Sequence, residues 1–369
     1  MIRTGTLGTL PNGLLARTYT LEEKGVEVKL TNFGATLLSI KTPDKHKHMD
    51  DILLGYDHLD DYLNDPGSCM GATIAPVANR SRNAEIVLDG VRYTLPKNDG
   101  PQKQHNLHTD LEHGLNKRLW GAKIDKEHNT VLLSCALEDG ELGLPGERTF
   151  CARFELSSLN DTHQQLRISY TCTTNKPTFV NMTNHAYFNL KSHGSGDVLA
   201  HRISIHAQKY LPIDNDQIPT GEIEDVAGTP FDFREERVLE TNYSIASEQL
   251  RRGLGYDHCF VVDNYRDNKT VRSALYASEE TSGRHLHIAI STPGAQFYTG
   301  GHLNCANAKA GAAYKPFSGF AFEPQFYPDC SHISSWPQPV CTQSKPYCST
   351  IVYTFSSDII ETEDDIYDM

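Results

Sequence analysis

Short runs in which apolar and polar residues alternate recur along this 369-residue chain. Val26 to Leu30, Val131 to Leu137 and Leu166 to Thr173 show the pattern, and turn-forming residues separate the runs. Side chains of a β-strand point alternately to the two faces of a sheet, so this period with this punctuation predicts antiparallel strands. Further runs of the same kind are Thr149 to Leu156, Leu286 to Ser291 and Thr350 to Phe355.

One tight hairpin and one short helix have clear local signals. Asp89 and Gly90 lie in the middle of the apolar stretch Ile86 to Tyr93 and suit the left-handed conformations of a two-residue turn. Helical patterns are otherwise sparse. The only predicted helix spans Ile245 to Arg252, with Ser244 as a possible cap.

No Ser/Gly linker, internal repeat or charge run divides the body of the chain. We therefore expect one all-β domain over residues 1–357, followed by an acidic tail over residues 358–369. The cluster Glu361 to Asp365 in that tail is expected to be solvated.

Composition excludes several classes of protein. The net charge is −13 with only 34 Lys and Arg residues, which disfavours nucleic acid as a partner. No apolar run is long enough to cross a bilayer, and Met1 to Leu10 does not have the pattern of a signal peptide. The nine cysteines are scattered and odd in number, which indicates reduced thiols. We expect a cytoplasmic enzyme without membrane contact.

Known cofactor and nucleophile motifs do not occur in the sequence. There is no phosphate loop, no dinucleotide fingerprint and no Gly-x-Ser-x-Gly elbow. Several histidines invite a zinc interpretation, but their spacing matches no structural or catalytic zinc motif. We expect neither a metal nor a cofactor. The histidines concerned are His105, His108, His113, His285 and His287.

The segment Thr183 to Leu190 surrounds His185 with amide, hydroxyl and aromatic side chains. Tyr187 and Phe188 offer flat faces for a polyol, and Asn184 offers donors and acceptors. A histidine in such a setting can donate a proton near neutral pH. The alternative is a core histidine bonded to backbone.

Glu323 is the carboxylate of a second aromatic and Pro-rich segment, Phe322 to Asp329. Phe322 and Phe326 would desolvate the carboxylate and raise its pKa, as a general base requires. The alternative is a glutamate in a surface loop.

Two further polar pairs lie where loops meet apolar runs. Asp257 and His258 precede a strand-like run, and Asp257 either binds a ligand or forms an Asx turn. Asn79 and Arg80 follow an apolar segment, and Arg80 either clamps substrate hydroxyls or pairs with a carboxylate.

Taken in order, these segments resemble the aldose 1-epimerase family, also called galactose mutarotases. The resemblance implies a large antiparallel β-sandwich (a supersandwich of the galactose mutarotase type) with few short helices and a sugar cleft across one face. The matching segments are Leu30 to Ala35 with Pro43-Asp44, Asn79-Arg80, Asp139 to Gly146, Thr183 to Leu190, Gly255 to His258, Gln296 to Gly300 and Phe322 to Asp329.

The same resemblance implies roles for individual residues. His185 would be the catalytic acid and Glu323 the base. The implied substrate contacts are Asn79, Arg80, His108, Tyr187, Asp257 and Gln296.

One segment departs from the family pattern of Asn-x-Leu-His-Gly-Gly leading to a Trp. Asn106 and Leu107 are adjacent, Thr109 and Asp110 follow His108, and the interval to a Trp is one residue longer. Because glycine conformations are lost there, we expect sugar affinity or preference to differ.

The implied reaction interconverts the α and β anomers of free aldohexoses such as galactose and glucose. Three alternatives stay open: a sugar-binding protein without turnover, a glycoside hydrolase that uses Glu323 and Asp257, and a hexose-phosphate epimerase. The expected ligand is a small aldose, and the expected assembly is a monomer or weak dimer.

Overall fold

The computed structural model describes residues 2–242 and 247–358. Within these ranges the chain is built from β-strands and a few short helices, so the predicted all-β fold is confirmed. Every ladder between two named strands there is antiparallel.

In chain order the strands are β1 (Ile2–Thr9), β2 (Leu15–Glu23), β3 (Val26–Thr31), β4 (Thr36–Pro43), β5 (Met49–Asp51), β6 (Thr73–Ile74), β7 (Arg80–Ser81), β8 (Glu85–Leu88), β9 (Val91–Thr94), β10 (Asn106–Leu107), β11 (Gly121–Asp125), β12 (Thr130–Leu137), β13 (Arg148–Ser158), β14 (Gln164–Thr174), β15 (Thr178–Phe179), β16 (Thr183–Asn184), β17 (Tyr187–Phe188), β18 (Arg202–Ile205), β19 (Lys209–Tyr210), β20 (Glu224–Asp225), β21 (Arg237–Val238), β22 (Asp257–Val261), β23 (Arg272–Glu279), β24 (Arg284–Ile290), β25 (Gly294–Tyr298), β26 (Phe320–Gln325), β27 (Val340–Cys341) and β28 (Tyr347–Ser357). The helices are α1 (Leu59–Asn64), α2 (Leu239–Asn242) and α3 (Glu248–Arg252), with 3-10 turns at Arg82–Ala84, Leu115–Lys117, Glu141–Gly143, Lys309–Gly311 and Cys330–His332.

Three sheets form the sandwich. The largest has nine strands in the order β11-β12-β13-β14-β28-β24-β23-β18-β21. A six-stranded sheet has the order β17-β26-β25-β22-β19-β20, and β1 to β5 form a five-stranded meander. Strand β28, the last in the described chain, lies in the middle of the largest sheet and pairs with both β14 and β24. The two halves of that sheet are therefore joined by the C-terminal strand.

The hydrophobic core lies between the nine-stranded and six-stranded sheets. Strand β13 alternates between buried and more exposed positions, with Phe150 and Phe154 completely buried. Strands β25 and β26 are buried along their whole length, on both faces. Phe297, Phe320 and Phe322 belong to the same core cluster as Phe150 and Phe154. One face of the six-stranded sheet therefore packs against the core. The residues that alternate with these aromatics along β25 and β26 project from the opposite face.

The strand and hairpin predictions are confirmed. All six alternating runs fall on strands, with Ser291 just beyond the end of β24. In the hairpin, Leu88 pairs with Val91, and Asp89 and Gly90 have φ values of 50° and 79°. Both turn residues are thus left-handed, as a type I′ turn requires.

The helix prediction is only partly within the described chain. Residues 244–246 lie outside the described residues, and the described helix begins at Glu248. Ser247 caps it, because its side chain accepts a hydrogen bond from the Leu250 amide. The acidic cluster Glu361 to Asp365 also lies outside the described residues.

Among the described residues, no helix is long and apolar enough to cross a membrane. All nine cysteines are free thiols.

Candidate active site

A pocket of about 690 Å³ opens on the polar face of the six-stranded sheet. Helix α1, loops from the first third of the chain, the loop that contains Gln217 and the loop after β25 complete its walls. Seven of the eight residues implied by the family resemblance line it. They are Asn79, Arg80, His108, His185, Tyr187, Asp257 and Glu323.

Strand register explains why distant parts of the sequence meet here. Gln296 on β25 pairs with Glu323 on β26, and Asp257 on β22 pairs with Tyr298 on β25. Directly paired residues of an antiparallel ladder project from the same face of the sheet. Since Phe297 faces the core, the four polar partners face the pocket side.

His185 and Glu323 lie side by side in the pocket. His185 follows β16, where its amide donates to the Ala72 carbonyl, and its Nε2 is 3.5 Å from Glu323 Oε1. Both side chains are almost completely buried. His185 Nδ1 and Glu323 Oε2 have no hydrogen-bond partner. Buried polar atoms are rarely left unpaired, so these two atoms mark a place where a polar ligand fits.

Burial dominates the electrostatics of this pair. It lowers the pKa of His185 to about 4. It raises the pKa of Glu323 well above the usual carboxyl value, with help from the negative charge of Asp257 and opposition from Arg80. In the unliganded pocket the two groups therefore favour a neutral imidazole beside a protonated carboxyl. This state has the same number of protons as an imidazolium beside a carboxylate. The two states differ only in which of the two groups holds one shared proton.

Arg80 is held by three side chains at once. Its Nε donates to Asp99 Oδ2 at 2.9 Å, its Nη1 to Asp257 Oδ2 at 3.4 Å, and its Nη2 to Gln217 Oε1 at 2.5 Å. The guanidinium thus pairs with carboxylates and also lines the pocket. The interpretation of Arg80 as a partner of carboxylates is confirmed, and its contact with substrate hydroxyls stays a prediction.

Gln296 lies behind Asp257 rather than among the pocket-lining residues. Its Nε2 donates to Asp257 Oδ1 at 2.6 Å, and its Oε1 accepts from Gln325 Nε2 at 3.4 Å. Asp257 therefore has one oxygen bound by Gln296 and the other by Arg80. Its orientation is fixed before any ligand arrives.

His108 presents a defined hydrogen-bond donor to the pocket. Its Nδ1 accepts from the Asn79 amide at 3.1 Å, so in the neutral ring the proton is on Nε2. Burial lowers the pKa of His108 well below its ordinary value, and the nearby charges of His185 and Arg80 act in the same direction. The ring is neutral at pH 7 and can donate through Nε2.

The same tautomer bears on metal binding. Within the described residues, ligand atoms of His108, His185 and Glu323 lie within 4.8 Å of one another. A metal ligand needs an unprotonated ring nitrogen, and the free nitrogen of His108 already accepts the Asn79 amide. This donor set does not suit an ion, and the absence of a metal stays a prediction.

Aromatic rings form one wall of the pocket. The Tyr187 ring lies 4.8 Å from that of His185, and the Tyr298 ring lies 5.9 Å from that of Tyr187. Tyr298 was not predicted, although it is two residues from Gln296 on the same strand and so shares its face. Asp99 and Gln217 were also missed, because they lie in loops that carry no motif.

The fold is that of known sugar epimerases. A structure of an aldose epimerase homologue from C. elegans superimposes with a TM-score of 0.81 at 31% identity, covering 92% of this chain and 98% of that one. A galactose 1-epimerase structure from Lactobacillus acidophilus has a TM-score of 0.80 at 24% identity, covering 97% and 99%. The second comparison supports the fold alone.

Sequence comparison gives the family. The family model described as Aldose 1-epimerase matches residues 17–354. The chain is 34% identical to aldose 1-epimerase of Escherichia coli (strain K12) over 348 residues, which covers 94% of this chain and 96% of that protein. It is 32% identical to galactose mutarotase of Homo sapiens over 351 residues, covering 95% and 97%. This chain belongs to the aldose 1-epimerase family, and it is an epimerase.

Proposed function

We propose that this enzyme interconverts the α and β anomers of free aldohexoses such as galactose and glucose. The observation that carries the proposal is the buried pair His185 and Glu323, 3.5 Å apart in a polar pocket with one unpartnered atom on each. A pair that shares one proton can remove a proton from one oxygen of the sugar and supply one to another.

In the proposed mechanism Glu323 takes the proton of the anomeric hydroxyl while His185 gives a proton to the ring oxygen. The bond between the anomeric carbon and the ring oxygen breaks, and the open-chain aldehyde forms. Rotation about the bond to the next carbon presents the other carbonyl face. The two proton transfers then run in reverse as the ring closes, so no proton is gained or lost and no redox partner is consumed.

The active form must be the tautomer with a charged His185 and an ionised Glu323. Burial favours the neutral tautomer, which has the same number of protons. The two atoms are 3.5 Å apart, too far for direct transfer of a proton, so a bound sugar hydroxyl would relay the proton between them. Asp257 favours the charged form of His185.

The remaining polar residues would hold the hydroxyls of the sugar. Arg80 and His108 offer N–H donors, Asp257 offers acceptors, and Asn79 and Tyr187 line the same cavity. Gln296 would act through Asp257, to which it is bonded. The single domain over residues 1–357, the monomer or weak dimer and the cytoplasmic location also stay predictions.

Polarimetry on freshly dissolved α-galactose and α-glucose tests the proposal. Glu323→Gln and His185→Asn should each lower kcat by about 10²- to 10⁴-fold, the usual contribution of a general acid or base. His287→Asn is the matched control, because His287 is half-buried on the nine-stranded sheet and bonds Ser273 instead of lining the pocket. Wild-type rates in either pocket variant would remove that residue from the mechanism.

The same preparation separates the alternatives. Sugar binding without faster mutarotation in the wild-type protein would favour a binding protein. Release of reducing sugar from an oligosaccharide would favour a glycoside hydrolase using Glu323 and Asp257. Both oxygens of Asp257 are already bound by neighbours, which favours a holding role over a nucleophilic one.

A further inference from the structure

We propose that Thr109 is a positioning residue whose hydroxyl holds His108 as an Nε2–H donor facing the pocket. The inference rests on the proposed function, in which His108 binds a sugar hydroxyl. The backbone of His108 and Thr109 is left-handed, with φ values of 56° and 62°. A β-branched residue is rarely left-handed, because its side chain crowds the backbone. Such a conformation persists only where neighbouring groups fix it.

Thr109 makes four hydrogen bonds through its hydroxyl, its amide and its carbonyl. Its Oγ1 donates to the Val77 carbonyl and accepts from the Val77 amide, both at 2.9 Å. Its amide donates to Asn106 Oδ1 at 3.1 Å, and its carbonyl accepts from Asn106 Nδ2 at 2.6 Å. Thr109 and Asn106 are both completely buried. The hydroxyl of Thr109 and the side chain of Asn106 therefore fix the strained residue in place.

The segment that Thr109 bonds at Val77 also contacts His108. Val77 is two residues from Asn79, and Asn79 pairs reciprocally with His108. The His108 amide donates to the Asn79 carbonyl at 3.1 Å, and the Asn79 amide donates to His108 Nδ1 at 3.1 Å. The second bond is the one that leaves the ring proton on Nε2.

The consequence is a chain of fixed contacts from a hydroxyl outside the pocket to a donor inside it. Thr109 is not among the pocket-lining residues, whereas His108 is, with its ring 5.4 Å from that of His185. Removing the hydroxyl should loosen the segment at residues 77–79 from the loop, and with it the tautomer and direction of His108.

Thr109→Val and Thr109→Ser test the role of the hydroxyl at nearly constant shape. The valine variant should raise KM for galactose by about five- to tenfold, the value of a buried hydrogen bond, with kcat changed less than about twofold. The serine variant keeps the hydroxyl and should restore KM to within about twofold of the wild type. Thr178→Val is the matched control, since Thr178 is completely buried and its hydroxyl has no partner. The KM of Thr178→Val for galactose should equal that of the wild type.

Nitrogen-15 NMR of the His108 ring gives a readout independent of catalysis. The wild type should show a proton on Nε2 and an unprotonated Nδ1, and Thr109→Val should show a mixture of tautomers. Thr109→Gly guards against a valine variant that fails to fold, because glycine accepts the left-handed conformation freely. It should raise KM as valine does.

The outcomes separate this inference from the proposed function. An altered ring tautomer in the valine variant of a protein without mutarotase activity would support positioning and remove the function. Unchanged KM and an unchanged ring spectrum in folded valine and glycine variants would overturn positioning. A fall in kcat at constant KM would also overturn it, because it would place the effect in the transition state.

Discussion

The catalytic pair and His108 reach the same pocket by different means. Glu323 is fixed by the ladder of β26 with β25, and His185 lies between two short strands, β16 and β17, that pair with β6 and β26. His108 follows a two-residue strand and depends on side-chain bonds and left-handed backbone. Strand-held groups have their direction set by the ladder, whereas the loop-held group has its direction set by a few long-range bonds.

That difference predicts how each region responds to change. A strand-held group tolerates little displacement, because the sheet cannot move to compensate for a shorter side chain. A loop-held group should lose binding gradually as individual bonds are removed. The two regions should therefore separate into effects on kcat and effects on KM.

Among variants that keep the functional group of the side chain, the largest effect should come from shortening the strand-held base. Glu323→Asp keeps the carboxyl but withdraws it by one methylene, and we expect kcat to fall by about 10²-fold, as a displacement of about 1 Å does in a positioned site. KM should change little. Polarimetric kcat measures the loss, and a nearly active Glu323→Asp would mean that the base is mobile and the strand does not set its reach.

Arg80 joins the two regions, because it lies on β7 and bonds partners in loops and on β22. Arg80→Lys keeps the charge but cannot bond three side chains in the plane of a guanidinium. We expect kcat/KM to fall by about thirtyfold, or about 2 kcal/mol. Thermal unfolding of the same variant is the control for misfolding. Wild-type kcat/KM would show that charge alone suffices.

The pH profile tests whether the strand-held pair works with one shared proton. The pair gains a second proton only as pH falls through about 4, since burial lowers the pKa of His185 to that value. It loses its last proton only above the usual carboxyl range, because burial raises the pKa of Glu323. Activity should be constant between these limits and fall tenfold per pH unit outside them.

Initial polarimetric rates, corrected for spontaneous mutarotation at each pH, measure this profile. The lowered rate of Glu323→Gln should no longer show the fall in activity at high pH, because the amide does not titrate. An acid limb near pH 6.5 would contradict the shared proton, because it would report an imidazole with an ordinary pKa.

The strand-held region was largely predictable from sequence. Period-two alternation located the long strands, and the segments around His185 and Glu323 carried enough polar and aromatic residues to be singled out. Register then explains why Gln296 bonds Asp257, and the substrate contact that the resemblance implies for Gln296 stays a prediction. Sequence gives the face of a residue, but not whether another side chain stands between it and the ligand.

For the loop-held region, the sequence showed only that it departs from the family pattern around His108. The loss of glycines after His108 left the backbone path of this loop unpredicted, and the structure has His108 and Thr109 in left-handed conformations without glycine. Its support comes from Val77 and Asn106, one of which is more than 30 residues away in sequence. Such hydrogen bonds form only in the assembled fold, so no local sequence pattern predicts them.

Gln217 should give the smallest effect, because it lines the pocket from a loop as only one of the three partners of Arg80. Its Oε1 accepts from Arg80 Nη2, and its Nε2 donates to the Arg252 carbonyl. Gln217→Ala removes one of three partners of the guanidinium while Asp99 and Asp257 remain. We expect KM to rise about threefold with kcat unchanged, the value of one partly exposed hydrogen bond. A loss as large as that of Arg80→Lys would mean that Gln217 itself binds the sugar, and the loop would then rank with the strands as a source of substrate contacts.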